Sequence, residues 1–554
     1  MITTPDSSQK NRKNSDINTE SAVPEYHSHE EFQNRSRKLK EIRELGVEPY
    51  PAKFSPQHKA SFLKEKHDET EIGHSEDAAA GTTDFVCLAG RLVLFRAMGK
   101  NAFGQIQDDT GRIQVMFNRD ITKVEGYDQE NTPLTQPPSH IKFIEKKIDI
   151  GDIIGVEGHL FHTNKGELTI FVKKLTILCK TLLPLPDKHA GLADKEVRYR
   201  KRWLDLIGNP EVKETFVARS RIMKFVRRYC EDQSFMEVET PVLQNIYGGA
   251  AARPFTTEFH ALDQQEVFLR ISLEIKLKKL LVGGLSRVFE IGKVFRNEGI
   301  DRNHNPEFSL LEAYAAYWDY NDMMVFVENL FEKLALELFG TTEVPYGKEG
   351  AEGYRTINMK APWPRLTMKD SIRKFTGIDV DILSDDEIRE KLKETGRIDE
   401  KKIASAPRGI LMFNLFEERV EHFLQDPHHI TDHPIETTPL CKGHRDPIER
   451  ENGIVERFES FIMGQEICNA YSELNDPEVQ RELLVKQSDQ KDAGDVEANP
   501  LDEEFIEAIC QGMPPAGGIG IGMDRLIMLF TNSSSIRDVL YFPFMKNQDS
   551  PQNT

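Results

Sequence analysis

A change of residue pattern along the chain constrains the fold more than any other feature. Between residues 85 and 183, short runs rich in β-branched and aromatic residues alternate with turn signals such as Gly99 next to Lys100. The runs are FVCLAGRLVLF, FGQIQDD, RIQVMF, DIIGVEGHLF and ELTIFVKKLTIL. Five short strands in about a hundred residues predict a small barrel. An OB-fold, which binds oligonucleotides, and an SH3-like barrel are the alternatives.

The pattern becomes mixed from residue 210 onward. Helical spacing of apolar residues predicts helices over residues 212–233 and 321–339. Strand-like runs occupy residues 235–243, 268–271, 288–291 and 307–314. Strands and helices mixed in this way favour an α+β domain with an antiparallel sheet. We therefore predict a barrel over residues 85–186 and a sheet domain over residues 210–546, with an inserted helical region around residues 340–407.

The remaining segments are assigned by composition. Residues 1–28 are polar and predict a disordered tail, residues 29–84 a helical extension, residues 187–209 a hinge and linker, and residues 547–554 a second tail. Residues 29–46 place Phe32, Leu39 and Ile42 on one helical face beside several basic side chains. A solvated helix and a basic helix that contacts RNA phosphates are both open interpretations of this segment.

Net charge, apolar runs and cysteines limit which cellular compartment and which binding partners are expected. The 72 Lys and Arg residues against 91 Asp and Glu residues give a net charge of −19, which excludes a globally basic nucleic-acid coat but not a local basic face. No run of 18 apolar residues and no apolar N-terminal core occur, so we expect no membrane span and no secretory signal. Six scattered cysteines without a CxxC pair argue against a zinc ribbon and a disulfide framework, and favour the cytoplasm.

Two stretches combine charged residues and glycines in ways that suit nucleotide chemistry. Residues 295–298, FRNE, place Arg296 and Glu298 two apart; on a strand they would share a face, where one could clamp a phosphate and the other accept from an amine. A surface ion pair is the alternative. Residues 517–529, GGIGIGMDRLIML, predict a tight strand-to-helix turn and lack the Gly-Lys-Ser/Thr ending of a P-loop.

A third stretch, residues 459–473, interleaves carboxylates with apolar side chains in ESFIMGQEICNAYSE. Its acidic members are Glu459, Glu466 and Glu473. Carboxylates suit Mg²⁺, which prefers oxygen ligands, or form an acidic pocket for an organic cation. A charged helix face is the alternative, but the segment is too apolar and β-like for that.

In this order the stretches resemble the three motifs of class II aminoacyl-tRNA synthetases. FMEVETPVL, residues 235–243, is similar to the first motif, whose proline, here Pro241, lies at the dimer interface. FRNE with the following HNPEF is similar to the second, and GIGIGMDRL to the third. A barrel in front of the core is similar to the subgroup serving lysine, aspartate and asparagine, whose barrel is a five-stranded OB-fold. GGAAARPF, residues 248–255, and GQEICNAYSELND resemble its lysine members.

The resemblance, which covers about residues 30–544, implies a lysine–tRNA ligase. Such an enzyme activates L-lysine with ATP and Mg²⁺ to lysyl-adenylate, transfers lysine to the 3′-end of tRNA(Lys), and is a cytoplasmic homodimer that needs no membrane. An aspartyl or asparaginyl enzyme, a protein-lysylating paralogue and a non-catalytic RNA-binding protein are the alternatives. The acidic pocket argues against the aspartyl and asparaginyl enzymes, and the barrel argues against the protein-lysylating paralogue. The presence of Arg296 and Arg525 argues against a non-catalytic protein.

The resemblance also implies a role for individual residues, with Arg296 and Arg525 as the catalytic ones. Its ATP-binding residues are Arg296, Glu298, His304, Asn305, Phe308, Glu466, Gly522 and Arg525. Its lysine-binding residues are Gly249, Glu274, Arg296, Glu312, Tyr314, Asn469, Tyr471 and Glu473. It assigns Mg²⁺ to Glu459 and Glu466, and the anticodon to Phe103, Gln114 and Arg91. In two departures from the family pattern, Ser272 and Leu273 replace Ala-Pro before Glu274, and Cys468 replaces a small residue.

Overall fold

The computed structural model describes residues 24–67, 72–131, 136–186, 192, 194–351, 353–398, 403–495 and 497–547. The chain divides into two compact units, Met1–Ala190 and Gly191–Thr554. Most of the predicted N-terminal tail, part of the hinge and nearly all of the C-terminal tail lie outside the described residues. Among the described helices, none combines the length and apolar character that crossing a bilayer requires.

The first unit is built around a closed β-barrel. Its strands are β1 (Phe85–Met98), β2 (Asn101–Gln107), β3 (Arg112–Asn118), β4 (Lys123–Val124), β5 (Ile153–His162) and β6 (Leu168–Cys179). Its α-helices are α1 (Glu30–Glu44), α2 (Ala60–His67), α3 (Ser75–Ala80) and α4 (His140–Lys147). Strand β1 pairs with β2 and β5, β3 pairs with β2 and β6, and β5 pairs with β6, so five long strands close a ring. The predicted five-stranded barrel is confirmed; β4 is a two-residue addition.

Helix α1 confirms the amphipathic helix predicted near the N-terminus, but part of its charge is structural. Ile42 is buried in the barrel core. Arg35 is also buried, and it donates to Glu31 (2.7 Å) and Thr181 (2.9 Å). Lys38 pairs with Asp149 at 2.5 Å. These two cations fasten the helix to its own unit, so they are not free to contact RNA phosphates.

The second unit contains a large mixed sheet with helices around it. Its strands are β7 (Met236–Glu237), β8 (Leu243–Gln244), β9 (Thr256–Phe259), β10 (Gln265–Leu269), β11 (Arg287–Phe295), β12 (Glu307–Ala316), β13 (Glu343–Tyr346), β14 (Arg355–Asn358), β15 (Arg365–Thr367), β16 (His428–Pro434), β17 (Ile454–Ile462), β18 (Gln465–Ser472) and β19 (Ala516–Gly522). Eight of them form one sheet in the order β15-β16-β17-β18-β19-β12-β11-β7, antiparallel except at its two outermost pairings. The predicted α+β class with an antiparallel sheet is confirmed.

The helices of the second unit pack on both faces of this sheet. They are α5 (Lys195–Arg200), α6 (Arg202–Gly208), α7 (Pro210–Asp232), α8 (Glu274–Val282), α9 (Tyr320–Phe339), α10 (Met368–Thr376), α11 (Asp385–Lys393), α12 (Arg408–Arg419), α13 (Pro447–Glu451), α14 (Pro477–Asp492), α15 (Glu503–Cys510), α16 (Met523–Phe530) and α17 (Ile536–Val539). Apolar residues of α7, α9 and α16 share one core with Ile519 and Ile521 of β19. Since successive side chains of a strand alternate, Gly518, Gly520 and Gly522 face the opposite side.

The first motif forms less strand than predicted. Within residues 235–243, only Met236 and Glu237 pair as a strand, in parallel with β11, and Leu243 begins the separate strand β8. Pro241 cannot donate to a ladder, and Val242 and Leu243 are exposed. The prediction of one continuous strand was wrong because most of this segment has no neighbouring strand to pair with.

The inserted region begins with strands. Residues 343–358 form a hairpin of β13 and β14, and β15 joins the main sheet. Helices start only at Met368, and α10, α11 and α12 bury Ile372, Leu392 and Leu415 in a core of their own. The helical part therefore runs past residue 407, to Arg419.

Candidate active site

Four adjacent strands bring the motif residues into two rows on one face of the sheet. The first row is Glu312, Gly520, Asn469 and Glu459, and the second is Tyr314, Gly518, Tyr471 and Arg457. Both rows cross β12, β19, β18 and β17 in that order. Strand register therefore assembles residues that are more than 200 positions apart in the chain.

Glycines of β19 create the space between these rows. A Cβ atom on Gly518 would lie 1.9 Å from Glu473 Oε1 and 2.5 Å from Tyr314 Cε1, so the two side chains cross where a methyl group would be. Gly249 has a φ of +88°, and its Cβ would lie 2.8 Å from Ser272 Oγ. These positions require glycine because functional side chains pass directly over the backbone.

Three buried carboxylates surround this space. Glu274, Glu312 and Glu473 expose between 1% and 4% of their surface. Tyr471 donates to Glu274 Oε2 at 2.6 Å, and the Lys278 ammonium contacts both Glu274 and Glu473. From the described residues, neither oxygen of Glu473 accepts a hydrogen bond of normal geometry. The pocket is therefore acidic, enclosed and suited to a cationic ligand.

The departure from the family's Ala-Pro pattern adds two donors to this pocket. Glu312 Oε1 accepts from Ser272 Oγ at 2.7 Å and from the Leu273 backbone N–H at 3.0 Å, whereas Ala-Pro offers neither donor. Tyr314 donates to the other oxygen at 2.9 Å. Burial raises the pKa of Glu312 to about 7, the charge of Glu274 adds to the rise, and these hydrogen bonds oppose it.

The second motif forms the predicted hairpin, but its Arg and Glu lie beyond the strand. Strand β11 ends at Phe295, so Arg296 and Glu298 are in the loop and the predicted shared strand face was wrong. The Arg296 guanidinium lies 5.2 Å from the centre of the Phe308 ring. Glu298 is exposed, which leaves its carboxylate open to a ligand. The backbone turns here because β11 must reverse into β12 through eleven intervening residues. Within them the Asn303 backbone N–H donates to Asp301 at 2.7 Å and closes a turn.

Arg525 of α16 reaches across to the same loop. Its Nη2 lies 3.0 Å from His304 Nε2, and its Nη1 donates to the Glu466 carbonyl at 2.7 Å. Asp301 accepts at 2.8 Å from the other ring nitrogen of His304, so the imidazole can donate to Asp301 while its Nε2 accepts from Arg525. The sequence placed these groups 221 residues apart, and the structure brings them into one cationic arm.

Asn305 and Gly522 flank this arm. Asn305 is buried and donates to the Glu307 carbonyl at 2.6 Å, while its Oδ1 finds no partner among the described residues. Gly522 ends β19 opposite Leu310, and its Cβ would lie 3.8 Å from Arg525 Cβ. Gly522 therefore lies beside Arg525, and Asn305 adjoins His304 in the chain.

Arg457 was not singled out from sequence, yet it connects two predicted residues. It is buried, donates to Asn469 Oδ1 at 3.0 Å and pairs with Glu459 at 2.6 Å. Asn469 is thus held with its amide nitrogen directed away from Arg457. The periodicity of β17 could have revealed Arg457, since it shares a face with Glu459 two residues later.

The predicted metal ligands belong to a wider group of carboxylates. Burial raises the pKa of Glu459, Arg457 opposes the rise, and Glu466 adds to it. Burial and the charges of Glu417 and Glu459 raise the pKa of Glu421 to about 8. Sequence analysis missed Glu417 and Glu421, whose i, i+4 spacing was the available signal. Glu417 lies near the end of α12, and Glu421 lies two residues beyond that end. In the described part of the chain, no three His, Cys, Asp or Glu residues are arranged as a complete metal cage.

The predicted anticodon residues lie on the outer surface of the barrel. Phe103 of β2 is half-buried, and Gln114 of β3 lies opposite Gln105, so both side chains share one face. Gln114 donates to Thr169 at 2.9 Å. Arg91 instead donates to the Gly151 carbonyl at 2.7 Å. The cation directly opposite Phe103 is the exposed Arg96, which sequence analysis did not select.

Comparisons with known proteins agree with this geometry. The family described as tRNA synthetases class II (D, K and N) matches residues 194–546, and the OB-fold nucleic acid binding domain matches residues 86–178. Lysine–tRNA ligase of Chlamydia caviae is 57% identical over 96% of this chain and 99% of its own. Lysine–tRNA ligases of Nostoc punctiforme and Oceanobacillus iheyensis are 44% and 43% identical, over 93% and 94% of this chain and 88% and 99% of theirs.

Proposed function

The chain belongs to the lysine–tRNA ligase family of class II tRNA synthetases, and on that premise we propose which residues perform each step of its reaction. The family attaches an amino acid to tRNA at the expense of ATP. One part of the chain matches the synthetase domain, and the barrel matches a nucleic acid binding domain. The substrates of the protein are therefore tRNA, ATP and an amino acid. The roles of individual residues, the cation, the dimer and the anticodon contacts are our proposals.

One observation carries the choice of lysine, namely the three enclosed carboxylates. Glu274, Glu312 and Glu473 would repel an aspartate side chain and would leave an asparagine amide opposite unneutralised charge. Lysine supplies two ammonium groups, which can compensate buried carboxylates. We assign the ε-ammonium to Glu473 and Glu274 beneath Tyr314 and Tyr471. We assign the α-ammonium to Glu312 beside Gly249.

The first step is an in-line displacement at phosphorus. A lysine carboxylate oxygen bonds to the α-phosphorus of ATP, the α–β phosphoanhydride breaks, and pyrophosphate leaves. Arg296, whose guanidinium lies over the Phe308 ring, binds the carboxylate and the α-phosphate, while Asn469 orients the carboxylate. Phe308 stacks on adenine, Glu298 accepts from its amine, and the Arg525–His304 arm neutralises the departing phosphates. The protein contributes position and charge and supplies no nucleophile.

The residues fit a Mg²⁺ ion, which we propose as the cofactor. Burial and mutual repulsion raise the pKa values of Glu459 and Glu421, and a bound cation would relieve that repulsion. Mg²⁺ typically uses one or two carboxylates together with substrate phosphates. Glu459 and Glu466 would hold it, with Glu417 and Glu421 adding negative potential nearby. When bound, the ion withdraws charge from phosphate oxygens.

In the second step the 3′-hydroxyl of the terminal tRNA ribose attacks the lysyl carbonyl and AMP leaves. The barrel surface around Phe103 supplies recognition of the anticodon. An aromatic ring, an amide at Gln114 and the Arg96 cation can stack on a base, read its edge and contact its phosphate. Because Arg91 donates to the Gly151 carbonyl, we propose that it stabilises this surface rather than contacting a base.

We expect Phe103→Ala to reduce tRNA(Lys) charging by about tenfold to a hundredfold, because stacking is worth about 1–3 kcal/mol per base. Lysine-dependent ATP–pyrophosphate exchange should be unchanged, since it takes place in the other unit. The matched control is Phe85→Ala, which removes an aromatic ring of β1 that is 51% exposed and is eleven residues from Arg96 in the same strand. Equal loss of charging and exchange, or equal loss in the control, would remove the anticodon assignment.

We further propose a homodimer in the cytoplasm. Pro241, Val242, Leu243 and Met236 are exposed around the first motif, and such a group of apolar residues is costly to leave in water. An identical partner related by a two-fold axis would cover it. All six cysteines are free thiols and four are buried, which suits a reducing compartment.

Amino-acid-dependent exchange of pyrophosphate into ATP tests the proposed activity. With purified protein, ATP and Mg²⁺, we expect exchange with lysine and none above background with aspartate or asparagine. Exchange should stop when the divalent cation is chelated. Exchange driven by aspartate or asparagine would overturn the pocket assignment. Absence of exchange with all three amino acids, from folded protein, would overturn the proposed activity.

A further inference from the structure

A lysine of the protein already occupies part of the acidic pocket. Lys278 of α8 has no solvent exposure, and its ammonium contacts the carboxylates of Glu274 and Glu473. The nitrogen also lies 5.4 Å from the centre of the Tyr471 ring. Glu274 is one helical turn earlier on α8, so the side chains of the two residues meet on one face.

Helix packing alone does not explain this residue. The neighbouring buried positions of α8 are Leu277 and Leu281, which fill the apolar core against β11 and β12. Burying an ammonium group is far more costly than burying a leucine unless carboxylates compensate it. Its two compensating partners are both residues that we assign to lysine binding. Lys278 is therefore part of the pocket rather than of the core beside it.

The charges of the pocket balance only when Lys278 is included. The carboxylates of Glu274, Glu312 and Glu473 contribute three negative charges, and Lys278 contributes one positive charge. The remainder matches the two ammonium groups of lysine, and Arg296 matches its carboxylate. Without Lys278 one buried carboxylate would have no counter-charge, and it would take up a proton instead.

The geometry also leaves one oxygen available. Both oxygens of Glu274 are engaged, Oε1 by Lys278 and Oε2 by Tyr471. Glu473 meets Lys278 through Oε2, whereas its Oε1 points over Gly518 towards Tyr314 and accepts no hydrogen bond from the described residues. Among the four carboxylate oxygens of Glu274 and Glu473, Glu473 Oε1 is thus the one that no described donor contacts.

We propose that Lys278 is a specificity-determining positioning residue, a resident ammonium that holds Glu274 and Glu473 together and leaves Glu473 Oε1 for the substrate's ε-ammonium. The inference rests on the proposed function and adds a protein cation to it. Lys278 takes the inner part of the carboxylate pair, so it fixes how deep the substrate side chain can enter.

Removing this cation should shift the pH dependence of lysine binding to higher pH. The groups that face Glu473 are Lys278 and Glu274 from α8, Glu312 and Tyr314 from β12, Tyr471 from β18, and Cys441 across an isolated bridge. Burial raises the pKa of Glu473, Lys278 lowers it, and Glu274 and Glu312 raise it further. With Lys278 in place this pKa is raised to about 8. Without Lys278 it rises further, so Glu473 stays protonated to higher pH and binds an ammonium more poorly at neutral pH. Affinity should return as the pH increases.

The test compares Lys278→Met with wild type and with Lys279→Met in lysine-dependent exchange between pH 6.5 and 8.5. Lys279 is the next residue of α8, and its partner is the exposed Glu504, so its loss controls for a missing helix lysine. For Lys278→Met we expect the KM for lysine to rise by about tenfold or more at pH 7 and to improve with pH, with the KM for ATP unchanged. Lys279→Met should behave as wild type.

A second variant keeps the proposal testable if Lys278→Met does not fold. Lys278→Arg retains the charge, so its KM for lysine should rise while its pH profile stays that of wild type. An unchanged KM in Lys278→Met, tighter lysine binding, or equal losses for lysine and ATP without a pH effect would overturn the proposal. Failure of the wild type to exchange with lysine would instead contradict the proposed function.

Discussion

Arg525→Ala is expected to lower lysine-dependent ATP–pyrophosphate exchange by about a hundredfold to a thousandfold, the range for losing one group that stabilises transition-state charge. Arg525 and His304 form one arm, at 3.0 Å, beside the carbonyl of Glu466. Since the arm neutralises phosphates that gain charge as the α–β bond breaks, we expect kcat to fall more than the affinity for lysine. Single-turnover formation of lysyl-adenylate measures the loss in the chemical step. A lysine titration of the same protein measures the loss in affinity.

Arg481→Ala is the matched control for that variant. Arg481 also pairs with a carboxylate, Glu503 at 2.6 Å, but both side chains are exposed, so its contribution is that of a surface ion pair. Its exchange rate should equal that of wild type. An Arg525→Ala enzyme with exchange within about twofold of wild type would exclude any role of the arm in the first step.

Gly518→Ala is expected to abolish lysine binding at millimolar concentrations while ATP still binds. The added methyl group would lie 1.9 Å from Glu473 Oε1 and 2.5 Å from Tyr314 Cε1, so both side chains must leave their positions. Displacement of a reacting or binding group by about 1 Å can cost about a hundredfold. Calorimetric titration with lysine and, separately, with ATP would show the expected difference.

Gly520→Ala controls for the effect of alanine on the strand itself. A Cβ atom there meets its nearest neighbours, Asn469 O and Glu312 Cγ, only at 3.9 Å, so the sheet needs no adjustment. We expect its melting temperature to match wild type, and that of Gly518→Ala to be lower, by the effect of about 1–3 kcal/mol typical of overpacking. Normal lysine affinity in Gly518→Ala would show that Glu473 and Tyr314 are not the ammonium site.

The sequence predicted the parts of this fold whose signals are local. Alternation within residues 85–183 indicated the barrel, and the Gly-Ile alternation before Arg525 indicated a strand entering a helix. Motif order indicated a shared site but not its contacts, because those depend on register. The hydrogen bond between Tyr471 and Glu274 joins residues 197 positions apart, and no local pattern contains that information. Lys278 was missed for the same reason, whereas Arg457 and Glu421 had local signals in their spacing that did not indicate their contacts.

Local patterns also misled where tertiary context decides. Residues 235–243 have the composition of a strand, yet only part of the segment finds a partner strand. Arg296 and Glu298 were placed on a strand because their spacing fits one, but β11 ends one residue earlier. The Ser272 and Leu273 pair was treated as a departure from the family, and its backbone N–H and hydroxyl proved to hold Glu312.

The position of β19 has a consequence for synthesis of the protein on the ribosome. It is the last strand of the sheet in sequence, yet it lies between β12 and β18 in the middle of it. Until residues 516–522 leave the exit tunnel, the nascent chain exposes two unpaired central strand edges, and contacts of such long range form slowly. Until those residues emerge, a growing chain lacks the glycine strand that faces Glu473 and Tyr314, and its open edges are prone to wrong pairing.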